Sequence, residues 1–141
     1  MQEDKRLIYH LNLARHSMMK HLDIGTKSAL GISATQLTAL MTLKKHNGLL
    51  MKDLATILML DKSAVTGLAK RMQANGLILR TRHESDARAS LLTITDKGEH
   101  LISEGVGLLK AFNVELTDGF SEQEMEVILR FLNHVTAIST N

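Results

Sequence analysis

The stretch Leu54–Leu68, LATILMLDKSAVTGL, constrains the fold of this chain more than any other segment. Apolar or small residues fall at Leu54, Ala55, Leu58, Leu60, Val65 and Leu68. That spacing predicts two short helices packed across a tight turn, with Ala55 small enough to let the second helix cross the first. Further on come Asp86-Ala87-Arg88, set between two short strand-like runs, and Leu92-Thr93-Ile94-Thr95 at the end of the second run. A helix-turn-helix backed by a basic β-hairpin is suited to reading DNA.

The second helix of the pair has two distinct faces. At about 100° per residue, Val65, Leu68, Ala69 and Met72 share one arc and are expected in the core. Ser63, Thr66, Gly67 and Lys70 share the opposite face. Short hydroxyls at Ser63 and Thr66 suit base edges or phosphates, and Lys70 reaches further. Lys62 and Arg71 flank this face as expected phosphate contacts. Arg80, Arg82 and Lys52 are further phosphate candidates. The plain alternative for Ser63, Thr66, Gly67 and Lys70 is a solvent-exposed helix face.

Charge supports the first reading. Lys44 to Arg88 holds nine Lys and Arg against four acids, whereas the rest of the chain holds eight against eleven. A basic middle between acidic flanks points to a polyanion met by the middle alone. With no cysteine, disulfides, thiolate metal sites and thiol redox sensing are excluded. No membrane span or signal peptide is apparent, and a soluble cytoplasmic protein is the expectation.

Local signals divide the remainder. Residues 3–22 read as a helix with apolar positions Leu7, Ile8, Leu11, Ala14, Met18 and Leu22, followed by a loop from Asp23 to Gly31. Ser33-Ala34-Thr35-Gln36 is a capping-box pattern opening a helix that Asn47-Gly48 stops near His46. The next two helices cover about 51–58 and 62–75, with Asp61 as N-cap and Gly76 as a left-handed end. Runs 77–82 and 90–94 read as a hairpin with a protruding polar loop, His83 to Ala89. Thr95 caps a long helix of about 96–116, and Ser121-Glu122-Gln123-Glu124 opens a last one to about Ile138. All four aromatics, Tyr9, Phe112, Phe120 and Phe131, lie in the end segments. The terminal helices carry apolar stripes that so small a centre cannot cover, which implies a shared dimer core.

The order of elements resembles the MarR (multiple antibiotic resistance regulator) family over essentially the whole chain. The matching residues are Leu54-Ala55, Lys62-Ser63-Ala64-Val65-Thr66, Asn75-Gly76-Leu77-Ile78, Asp86-x-Arg88 and Leu92-Thr93-Ile94-Thr95-x-x-Gly98. The resemblance implies a mainly α fold with a small β-wing, a single domain over 1–141. Within it, a winged helix-turn-helix lobe occupies 33–95 (helix-turn-helix about 51–75, wing about 77–94), with a helical dimerisation region in 1–32 and 96–141. It further implies a homodimer on a short palindromic operator of double-stranded DNA, a repressor released by a small-molecule effector. Lys62, Ser63, Thr66, Gly67, Lys70, Arg71, Arg82, Asp86 and Arg88 are the expected DNA-binding residues, with Arg88 in a minor groove and Asp86 holding it. His16, Met19 and Met41 are candidates for an effector pocket. Three departures stand out: Met59 where many members have glycine, Leu50 in place of a Ser/Thr helix cap, and Gly67 in place of an arginine.

Other chemistry is weakly signalled. His10, His16 and His21 share one helix without metal-ligand spacing, and the eight methionines read as core filler rather than a copper site. Gly105-Val106-Gly107 lacks the strand and third glycine of a dinucleotide loop and marks a bend or close helix approach instead. No cofactor and no catalytic constellation is expected. The alternative to a DNA-binding regulator is a winged-helix protein–protein module.

Overall fold

The computed structural model describes residues 5–82, 84–85 and 89–138. Among these residues, six helices and three strands follow one another: α1 (Leu7–Leu30), α2 (Ala34–His46), β1 (Leu49–Leu50), α3 (Met51–Leu58), α4 (Lys62–Ala74), β2 (Ile78–Arg82), β3 (Ser90–Ile94), α5 (Asp96–Thr117) and α6 (Glu122–Ile138). The chain is thus mainly helical with a small antiparallel sheet, ordered β1-β3-β2. It divides into two compact units, residues 1–108 and residues 109–141.

Most of the loop expected at Asp23–Gly31 is helical instead. Helix α1 runs through it and ends only at Gly31, whose φ of 72° is left-handed. Of the residues that suggested a loop, Gly25 and Thr26 lie within the helix, and only Gly31 marks its end. The Thr26 hydroxyl donates to the Asp23 carbonyl (3.1 Å), and the Asp23 carboxylate pairs with Lys27 (2.8 Å). Asp23 also accepts from the Ala34 amide at 2.8 Å, while Ser33 Oγ accepts from the Gln36 amide at 3.1 Å. Two of the orphan N–H groups at the start of α2 are therefore satisfied, one from within and one across from α1.

The core of the first unit is built where the apolar periodicities meet. Leu37, Leu40 and Leu43 of α2, Leu54 of α3, Val65, Leu68 and Met72 of α4, and Leu77, Ile78 and Leu92 around the sheet are all buried. Strand β1 is two residues long, pairing Leu49 with Leu92 and Leu50 with Leu91. It is too short for any alternation to announce it, and only its pairing with β3 defines it. Strands β2 and β3 pair from Ile78↔Ile94 to Arg82↔Ser90, forming the stem of the wing.

The join between sheet and α5 explains the Thr95-x-x-Gly98 pattern. Thr95 Oγ1 donates to the carbonyls of Gly76 and Leu77 and accepts from the Gly98 amide at 3.1 Å. A Cβ on Gly98 would stand 2.5 Å from the Leu77 carbonyl oxygen and 2.7 Å from Ile94 Cγ1, so no side chain fits. Gly105 likewise lies against Leu37 and Leu30, a close helix approach. In the second unit, Ser121 and Glu124 form a reciprocal capping box.

Candidate nucleic-acid interface

Helices α3 and α4 meet across a turn at Met59, which holds φ 56° and ψ 41° despite its Cβ. The Leu60 amide closes the turn on the Ala55 carbonyl at 2.9 Å. Leu50, the N-cap of α3, makes no side-chain cap bond. Asp61 does cap α4, accepting from the Ala64 amide at 2.7 Å and from the Ser63 hydroxyl at 3.0 Å. These bonds, the Ala64 amide first, hold its carboxyl below the usual carboxylate value.

Helix α4 divides as its sequence predicts. Val65, Leu68, Ala69 and Met72 are buried, whereas Ser63, Thr66 and Lys70 are exposed. Lys62 and Arg71 are exposed beside them, and Gly67 is half-buried. Thr66 Oγ1 donates to the Lys62 carbonyl at 2.7 Å, with Met51 Sδ at 3.8 Å.

Between the start of α4, the start of α3 and the wing lies a concavity of about 620 Å³. Leu50, Met51, Ala55, Val65 and Ala89 supply its apolar lining, and Thr66, Ser85 and Ser90 supply hydroxyls. Three cations, Lys52, Lys62 and Arg80, stand around it, and none of the described residues lining it is acidic. The Arg80 guanidinium donates from Nε to Ser90 Oγ at 2.9 Å. Since Arg80 stands opposite Leu92 and Arg82 opposite Ser90, this bond runs diagonally across the hairpin and aims the arginine. A cationic recess with aimed donors suits the oxygens of a phosphate backbone.

The structure thus brings Lys62 and Thr66 together with Lys52 and Arg80, which the sequence offered only as general phosphate candidates. Their convergence depends on the hairpin folding back toward α3. Lys70 and Arg71 lie further along α4, and Arg82 is exposed at the end of β2. Asp86 and Arg88, with their expected ion pair, lie outside the described residues. Of the expected effector-pocket residues, His16 and Met19 lie on α1 and Met41 on α2, and none of them lines the concavity above. Ser90 was not anticipated. Its signal was faint: a serine at the start of a strand paired with an arginine-rich one.

Among the described residues, no group of three or more His, Asp or Glu is placed to hold a metal ion, and no helix is long and apolar enough to cross a membrane.

The architecture is that of a winged helix-turn-helix protein: a helix pair, a cationic recess beside the second helix, and a hairpin wing. Residues 32–90 match the sequence model of the MarR family. The chain is 34% identical over 95 residues to the HTH-type transcriptional repressor MdtR of Bacillus subtilis, covering 67% of this chain and 61% of MdtR. The chain therefore spans about three fifths of that relative's length. Among solved structures it is similar to the MepR–DNA complex of S. aureus, with a TM-score of 0.86 and 21% identity over 95% of this chain and 98% of that one. It is also similar to BpsR of Bordetella bronchiseptica, whose DNA binding is regulated by 6-hydroxynicotinic acid, with a TM-score of 0.86 and 19% identity over 96% of each chain. Residues 32–90 thus carry the chain's match to the MarR family.

Proposed function

We propose that the protein is a DNA-binding transcriptional regulator, a homodimer on a short palindromic operator. The observation that carries this reading is the recess, with no acid among its described lining residues, in which Lys52, Lys62 and an aimed Arg80 converge beside the exposed face of α4. In this reading each α4 enters a major groove with Ser63, Thr66, Gly67 and Lys70 toward the bases. Lys62, Arg71 and Arg82 meet phosphates, and Arg88, positioned by Asp86, enters an adjacent minor groove. Residues 33–95 serve as the DNA-binding lobe, and 1–32 with 96–141 as the dimerisation region. MdtR is a repressor, and BpsR responds to a small molecule. By analogy, this protein represses until a small-molecule effector releases it, with His16, Met19 and Met41 lining the effector's pocket.

The test is affinity against salt on genomic fragments that the purified protein retains. With about 6–10 phosphate contacts, affinity falls about 10³–10⁵-fold between 50 and 200 mM salt. Arg80→Ala should lower the slope by about one and weaken binding evenly across sequences. A flat response would instead support the protein–protein module.

A further inference from the structure

The hydroxyls on the exposed face of α4 are not free to choose their role. Ser63 Oγ lies 3.0 Å from Asp61 Oδ1, and an ionised carboxylate only accepts, so Ser63 must donate. Thr66 Oγ1 lies 2.7 Å from the Lys62 carbonyl, which also only accepts. Each hydroxyl owns one proton, and each has committed it inside the protein. Both residues are exposed, so what they present outward is lone pairs.

Resting on the DNA-binding reading above, we propose that Ser63 and Thr66 are acceptor-only base readers that select the amino groups of adenine or cytosine under the first turns of α4. In the major groove, guanine N7 and O6 and thymine O4 are acceptors, and only adenine N6 and cytosine N4 offer protons. Phosphate oxygens are acceptors as well. Neither hydroxyl can bind any of these acceptors without sharing or giving up the proton of its internal bond, and the Ser63 bond is to a charged group, the stronger kind. The Asp61 carboxylate at the same corner adds negative charge, which disfavours phosphate and acceptor-rich base edges and favours amino edges. Cations supply donors on this side of the protein: Lys52, Lys62 and Arg80 at the recess, and Lys70 and Arg71 further along the helix. The face therefore separates its tasks. Cations hold phosphates and guanine, and the two hydroxyls accept from amino groups.

The experiment selects duplexes from a randomised library with the full-length protein, comparing wild type with Ser63→Ala and Thr66→Val. Wild-type sites should show adenine or cytosine at two major-groove positions of each half-site. Ser63→Ala should flatten one preference and Thr66→Val the other, with the salt slope unchanged. On the selected site, a base lacking the amino group (purine for adenine, pyrimidin-2-one for cytosine) should weaken wild type about fivefold to tenfold and leave the matching variant unaffected. Guanine or thymine at both positions would overturn the proposal. So would a uniform loss with a shallower salt slope, which means phosphate contact. Lost thermal stability with unchanged base preference would reduce Ser63 to part of a helix cap and overturn its share. If wild type selects no duplex, the DNA-binding reading itself falls.

Discussion

Met59 carries a Cβ through a left-handed turn and is 85% exposed, so it gains little burial to offset the strain. A left-handed conformation costs a non-glycine residue about 1–2 kcal/mol, and glycine avoids most of that. Met59→Gly should therefore raise stability by about 1 kcal/mol, read as a higher denaturant midpoint with unchanged slope. Asp23 is the second residue whose role is local and testable. It caps α2 from α1, and the Lys27 side chain and the Ala34 amide hold its pKa below 3.8. Asp23→Ala should cost about 1 kcal/mol at neutral pH, the usual worth of a cap. A carboxyl with a depressed folded pKa stabilises above its unfolded pKa, and that contribution is lost as pH falls through the folded value. The difference between wild type and variant should thus shrink below pH 3.8 and vanish once the folded carboxyl is protonated, measured by urea unfolding across pH.

Among the elements, two glycines make opposite predictions. Gly98→Ala forces a methyl against the Leu77 carbonyl and Ile94, so the α5–sheet join must shift. Overpacking of this kind costs about 1–3 kcal/mol. Gly67→Ala sits in α4, where the new Cβ would meet only the Arg71 guanidinium, the far end of a flexible side chain, at 3.3 Å. Replacing an interior helix glycine with alanine should gain about 1 kcal/mol. Thermal unfolding of the two variants side by side checks the pair, and equal shifts of the same sign would contradict the packing described. Gly98 was visible in the sequence as part of a motif. Its reason was not, because the clash is with a carbonyl twenty-one residues earlier in the chain.

For the whole molecule, the terminal helices leave apolar surface uncovered within one chain. On α1, Leu7 and Ile8 are 60% and 78% exposed, and α6 has no buried residue. Val127, Leu129, Leu132, Val135 and Ile138 are exposed along α6, and their positions spread over more than half of its circumference at about 100° per residue. A helix apolar over so wide an arc needs more than one packing partner. A second copy of the chain is the partner proposed. Leu132→Glu, at a position 44% exposed in the single chain, should shift sedimentation from dimer to monomer or aggregate. Wild type sedimenting as a well-folded monomer at micromolar concentration would contradict the dimer.

Local physics made most of the elements legible in the sequence. Caps at Ser33, Asp61 and Ser121, the stop at Asn47-Gly48 and the buried arc Val65-Leu68-Ala69-Met72 each depend on neighbours within a turn or two. The boundary of α1 did not follow from such signals. Asp23 and Thr26 are loop formers in isolation, and contacts with Ala34 and Lys27, together with burial of Thr26, hold them in a helix instead. Strand β1 exists only because Leu91 and Leu92 lie beside it. The recess has the same origin: Lys52, Lys62 and Arg80 are spread over twenty-nine residues and meet because the hairpin folds back on α3 and α4. Residue type and spacing determined what each short segment could become. Contacts between segments distant in the chain decided where α1 ends and which cations share one surface, because neither hydrogen-bond partners across helices nor strand pairing is written into local periodicity.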